Sequence, residues 1–156
     1  MRFIHIVCVC FIFAFSIHAS IQFDEYFTNK TMRIDYFHIG DASSEQVLID
    51  RIYSYGVWAG SIVNLVDELN YGAYYCKIYS ADLEELIYSK GFDSYFKEYQ
   101  LSSSAMDGIV KTFHETAIVP IPKKKIIFAL DKRDKKGKLV EVYRTVIDPF
   151  DINILV

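Results

Sequence analysis

His114-Glu115 is the neighbouring pair in this sequence that most directly suggests chemistry, because the zinc helix of many peptidases begins His-Glu. Such a helix needs a second His four residues after the first, so that both imidazoles approach one ion from one side. Position 118 is Ile, and Thr116-Ala117-Ile118-Val119-Pro120 has the β-branched character of a strand. The zinc motif is therefore absent, and a structural role is expected for the pair. His38 stands at a strand end, and His5 and His18 lie in the apolar N-terminus. Two distant histidines beyond residue 19, with no thiolate cluster, point to no metal site and no cofactor in this chain. The acidic pairs Asp24-Glu25, Asp67-Glu68 and Glu84-Glu85 are read as solvated turns. Neighbours in a strand face opposite sides, so they cannot act as acid and base on one substrate. No Gly-x-Ser-x-Gly elbow, phosphate loop or dinucleotide fingerprint occurs, and no catalytic residue is assigned.

The remaining candidates concern binding. Trp58, the single tryptophan, sits in Gly56-Val57-Trp58-Ala59-Gly60, where the glycines permit close packing. It is read as a core residue, with a stacking platform for sugars or peptides as the alternative. Tyr95, Phe96 and Tyr99 lie in the polar segment Asp93–Gln100 and form the candidate contact surface, large amphipathic anchors with a polar rim. Cys76 alternates with Tyr74 and Ile78 and reads as a small buried apolar residue. Asn29-Lys30-Thr31 matches the glycosylation acceptor pattern, which only a eukaryotic secretory route would use.

These residues must be positioned by one domain. Residues 2–18 are apolar behind a single Arg, and the small residues Ala19 and Ser20 follow. That layout predicts a secretory signal peptide over 1–19 and a secreted, periplasmic or cell-surface location, with a retained anchor as the alternative. The run is somewhat short for a membrane span of ~20 residues. Residues 20–149 then fit one domain, and 150–156 a short tail. From Ser20 to Pro122 there are 7 Lys and Arg against 15 Asp and Glu; from Lys123 onward there are 9 against 5. The basic residues gather in Lys123–Lys125 and Lys132–Lys138, read as solvated hairpin ends; an exported, net acidic domain without a reading element is not expected to bind nucleic acid.

Short runs rich in Tyr, Phe, Ile and Val predict strands over about 31–39, 47–55, 72–80, 85–92, 109–119, 124–132 and 139–147. Ser102–Ser104 offers N-caps for one short helical turn that Gly108 ends. The clearest hairpin is the last, with Gly137 in its turn and Val140, Val142 and Val146 on one face of its second strand. The expected fold is all-β, an antiparallel β-sandwich of about seven strands.

Phe23–Gly40 reads FDEYFTNKTMRIDYFHIG, followed by Tyr55–Ser61 (YGVWAGS), Tyr88–Phe92 (YSKGF), Thr112–Glu115 (TFHE) and Pro120–Lys123 (PIPK). In this order and spacing the segments resemble the N-terminal domain that precedes the catalytic domain in the IgA peptidase family, metallopeptidase family 64. The resemblance covers roughly Phe23–Asp148. It implies that His114-Glu115 is not the zinc motif, that zinc belongs to a separate catalytic domain downstream, and that this chain stops where that domain would start. The expected function is a secreted, non-catalytic accessory domain whose partner is a catalytic peptidase domain or a protein substrate. The alternative is a stand-alone secreted module that binds glycans or surfaces through exposed aromatics.

Overall fold

The computed structural model describes residues 21–151, 153 and 154; the expected signal peptide over 1–19 lies outside them. The elements run α1 (Phe23–Tyr26), β1 (Phe27–Gly40), β2 (Glu45–Val57), β3 (Tyr74–Ser80), β4 (Leu86–Phe92), α2 (Tyr95–Tyr99), α3 (Ser103–Met106), β5 (Lys111–Pro122), β6 (Ile126–Arg133) and β7 (Leu139–Ile147). They form two antiparallel sheets, one ordered β2-β1-β5 and the other β4-β3-β6-β7. This is an all-β sandwich with the expected strands in place. Ser102 caps α3 as expected, its hydroxyl accepting from the Ala105 N–H.

Alternation builds the core. Along β1, Met32, Ile34, Tyr36 and His38 are buried between the sheets, while Arg33 and Phe37 face away. Strand β5 opposes it with Ala117 and Val119 inward. Strand β3 contributes Cys76 and Ile78, and β6 contributes Ile126, Phe128 and Leu130. The first hairpin turns on Gly40, where a Cβ would collide with the Ser44 carbonyl, and on Asp41, whose carboxylate accepts from the N–H groups of Ser43 and Ser44. Those bonds draw the Asp41 carboxyl down to about 2.

Two details of the last hairpin depart from expectation. Gly137 takes φ +80 in the turn, as its position suggested, with Asp134 accepting from the N–H groups of Lys136 and Lys138. A register shift between Leu130 and Asp131, however, leaves Val142 as the extra residue of β7. Beyond it the faces exchange. Tyr143 meets Phe128 edge-on and Ile147 enters the core, whereas Val140 and Val146 are exposed. The expectation of Val140, Val142 and Val146 on one face fails because a bulge changes the parity of a strand. The basic run is also not wholly a solvated turn. Lys132 follows the inward parity of Phe128 and Leu130, and Arg133 donates to the carbonyls of Asn70, Gly72 and Gly137.

Trp58 is half-buried. It packs against the core edge-on to Tyr88, with centroids 6.1 Å apart, and its indole N–H donates to the Ser61 carbonyl. Gly60 lies so close to the ring that a Cβ there would strike it. Since only part of the ring leaves water, Trp58→Ala is expected to cost about 2 kcal/mol, below the ~3–5 of a fully buried aromatic. Denaturant melts check this; a loss under about 0.5 kcal/mol, the scale of an ordinary surface change, would remove Trp58 from the packing.

Candidate functional site

The candidate contact residues do not share a face. Ser94 opens α2, its hydroxyl accepting from the Phe96 N–H, and the following helical turn places Phe96 and Tyr99 on the inner side with Tyr95 opposite. Tyr95 is 76% exposed, Phe96 0% and Tyr99 8%. Phe96 stacks on the His38 ring at 4.0 Å and meets Phe113 edge-on. The Tyr99 hydroxyl donates to the Ile109 carbonyl at 2.5 Å, and the Lys111 ammonium sits over its ring. A contact surface made of Tyr95, Phe96 and Tyr99 is thereby corrected: two of the three rings seal the sandwich, because Asp93–Gln100 is a capped helical turn docked by its apolar side. Tyr95→Ala is expected to leave stability within about 0.5 kcal/mol in a urea melt, as for other surface substitutions; a larger loss would place its ring against the fold.

Beneath α2 the interior is charged. His38 of β1 is 1% exposed, yet its Nε2 lies 2.7 Å from Glu45 Oε1 and its Nδ1 3.1 Å from Glu115 Oε2. Glu45 also accepts from the Tyr74 hydroxyl at 2.9 Å and from the Lys132 ammonium at 2.5 Å. Glu115 accepts from the Tyr36 hydroxyl at 3.1 Å and from the Ser94 hydroxyl at 2.5 Å. Lys132 donates as well to the Gln100 side-chain carbonyl, and the Gln100 amide to the Asp41 carbonyl. Both sheets and α2 are tied through one network. Two carboxylates face two cations once His38 is protonated, and a proton on each ring nitrogen is what two flanking carboxylates require.

The titration shifts follow from this geometry. Burial opposes charge on Glu45, but the bonds from His38, Lys132 and Tyr74 outweigh it and draw its carboxyl down to about 2. Glu115 is lowered on the same balance, burial against the bonds from His38 and Ser94. His38 is raised, because its bonds to Glu115 and Glu45 outweigh burial. Burial, reinforced by the adjacent carboxylates, pushes the Tyr36 and Tyr74 hydroxyls up. Among the described residues no buried side-chain polar atom lacks a partner.

His114 and Glu115 point opposite ways. Glu115 enters the buried network; His114 faces out, lies against Phe37 at 5.1 Å and pairs with Asp50 at 3.3 Å. Zinc does not fit here. The position a second ligand would need is Ile118, on the same extended strand, and among the described residues no group of three or more His, Cys, Asp or Glu is placed to hold a metal. Cys76 is buried, and burial pushes its thiol up to about 12, the opposite of a nucleophile.

The outer faces of the two sheets differ. On the β4-β3-β6-β7 sheet, Lys77 pairs with Asp131 at 2.5 Å, Arg144 lies over Tyr79 and pairs with Glu84 and Glu141, and Arg133 lies over Tyr75. Charged stems cover that face. On the β2-β1-β5 sheet, Leu48, Tyr55 and Ile118 are exposed at 59%, 68% and 54%, with Phe37, Ile39 and Tyr53 half-exposed among them. Asp35 accepts from Arg33 and Thr116 there, and Asp50 lies 3.3 Å from the His114 imidazole. Nothing in the sequence marked this face directly; the signal was parity, since Arg33, Phe37 and Ile39 are out of phase with Met32, Ile34, Tyr36 and His38.

Fold and interior define an all-β sandwich domain whose polar cluster holds its two sheets together and whose open face is apolar. Residues 22–144 match the family described as Peptidase M64 N-terminus. The chain belongs to that family. No curated protein matches it.

Proposed function

We propose that this chain is a non-catalytic accessory domain of a secreted zinc peptidase, which docks to the catalytic domain or holds a protein substrate for it. Family membership supplies the peptidase context. The observation that carries the reading is the contrast between the two sheet faces, one covered by paired charges and one presenting Leu48, Tyr55 and Ile118 with Phe37 and Tyr53. An apolar face of this kind suits a protein partner whose own surface is desolvated on contact. Export by the apolar N-terminus belongs to the same proposal. No helix among the described residues is long and apolar enough to cross a membrane.

The test uses the whole chain and a purified zinc-peptidase domain of the same family, with binding followed by calorimetry. Leu48→Asp with Ile118→Asp is expected to weaken binding at least ~10-fold, the scale of a lost interface anchor, while the urea midpoint stays close to that of the parent. Unchanged affinity would remove the face from the interface. Half-buried Trp58, its N–H already used by Ser61, lends no support to the glycan reading.

A further inference from the structure

We infer that the free edge of β5, over Thr112–Val119, is a strand-addition site that takes an extended segment of a partner polypeptide. The four sheet edges differ in how they are closed. At β4 the chain itself covers the edge: the Ser89 N–H donates to the Leu65 carbonyl, and Asp67 accepts from Gly91 while its own N–H donates to Ser89. Strand β2 is kinked by register shifts at Lys30/Thr31 and Asp35/Tyr36 of the β1 pairing. Strand β7 is bulged at Val142, and both strands border an open cavity of about 240 Å³ that Asp151, Asn153 and Ile154 also line. Covering segments and bulges are the usual means of keeping an edge from pairing.

Strand β5 has neither. Its register with β1 is unbroken from Gly40–Lys111 to Thr31–Pro120. Among the described residues, no hydrogen bond beyond the β1 ladder reaches the backbone of Thr112–Val119. In an antiparallel edge strand about half of the N–H and C=O groups point away from the neighbour. Such a row of alternating donors and acceptors specifies its occupant, another backbone in extended form. The side chains agree: Thr112, Thr116, Ile118 and Val119 are β-branched, and the exposed ones carry no unpaired charge.

A foreign segment, and not a second copy, is the occupant the charges favour. From Ser20 onward each copy carries 16 Lys and Arg against 20 Asp and Glu, so two copies meeting edge to edge repel. Lys111 bounds one end of the stretch and Pro120, which has no N–H to give, the other, so the open row is confined to Thr112–Val119. Recognition through main chain is indifferent to most side chains, which suits a domain that accompanies a peptidase acting on protein. In that respect the inference rests on the reading above, but it concerns a different surface.

Hydrogen exchange on the full chain decides it. The probe is a synthetic ten-residue peptide of alternating Thr and Val, with a second version N-methylated at every residue so that neither of its edges can donate. The outward amides of Thr112–Val119 are expected to exchange at least ~10-fold more slowly with the first peptide and to be unchanged with the second, as main-chain pairing requires. No protection, or equal protection by both peptides, overturns the inference. Protection that appears without peptide and rises with protein concentration, with a doubled mass by light scattering, assigns the edge to a second copy and also overturns it. Leu48→Asp alone, on β2 and outside the β5 stretch, separates the two proposals: weakened docking with retained β5 protection supports both, unchanged docking with retained protection removes only the apolar face, and retained docking with lost protection overturns the strand-addition site.

Discussion

Replacing Glu45 by alanine is expected to cost about 3–5 kcal/mol of folding free energy, the range for removing one partner of a buried ion pair. Glu45 receives His38, Tyr74 and Lys132 at once, so its loss leaves Lys132 without an anion and His38 with Glu115 alone inside the sandwich. Urea melts check the size, and a cost under about 1 kcal/mol would mean that the cluster is solvated in practice. The same groups set the pH profile. Glu45 is lowered from an ordinary 4.5 to about 2, so its contribution is complete above the unfolded value and is lost as pH falls toward 2. His38 is raised from an ordinary 6.5, so its contribution is complete below that value and is lost as pH rises through the folded one. Stability from this cluster should therefore be greatest between about pH 4.5 and 6.5. In His38→Gln the alkaline decline should flatten while the acid decline persists. An unchanged alkaline limb in that variant would assign the decline to another group.

Phe96→Ala is expected to cost about 3–5 kcal/mol, as for other fully buried aromatics. The ring caps the His38 cluster from outside, so its removal admits water as well as leaving a cavity. The variant should accordingly lose part of the pH dependence in addition to stability. If Phe96→Ala loses packing energy but keeps the parent's pH profile, the ring does not exclude water from the cluster. Neutral behaviour in the melt would mean that α2 is not docked as described.

The strands were legible because the half-buried faces of β1, β3 and β5 alternate Ile, Tyr, Val and Met with polar residues, and turn residues divide them. The face of β7 was not, since a bulge at Val142 depends on how two strands pair and leaves no mark in the sequence of either. The helix at Tyr95–Tyr99 escaped notice because five residues offer too little period to distinguish a docked turn from an exposed loop; the Ser94 cap was the available clue. The charge cluster was partly within reach. His38 is in phase with Ile34 and Tyr36, and Glu115 with Ala117 and Val119, so both lie on core-facing positions. Their convergence with Glu45 and Lys132 was not, because it joins four strands from two sheets. The His-Glu pair shows the same limit: adjacency in sequence sends its two members to opposite sides of β5.

Cys76 gives the molecule an internal gauge of its own opening. It is the one thiol beyond residue 19, enclosed on β3 and held in its protonated form up to about 12. An alkylating reagent needs the thiolate and needs access, and neither is present while the two sheets are together. The rate at which Cys76 is trapped therefore counts excursions that part the sandwich, without any added label. Comparing that rate with the exchange of β5 amides would tell whether the free edge frays by itself or only when the whole domain comes apart.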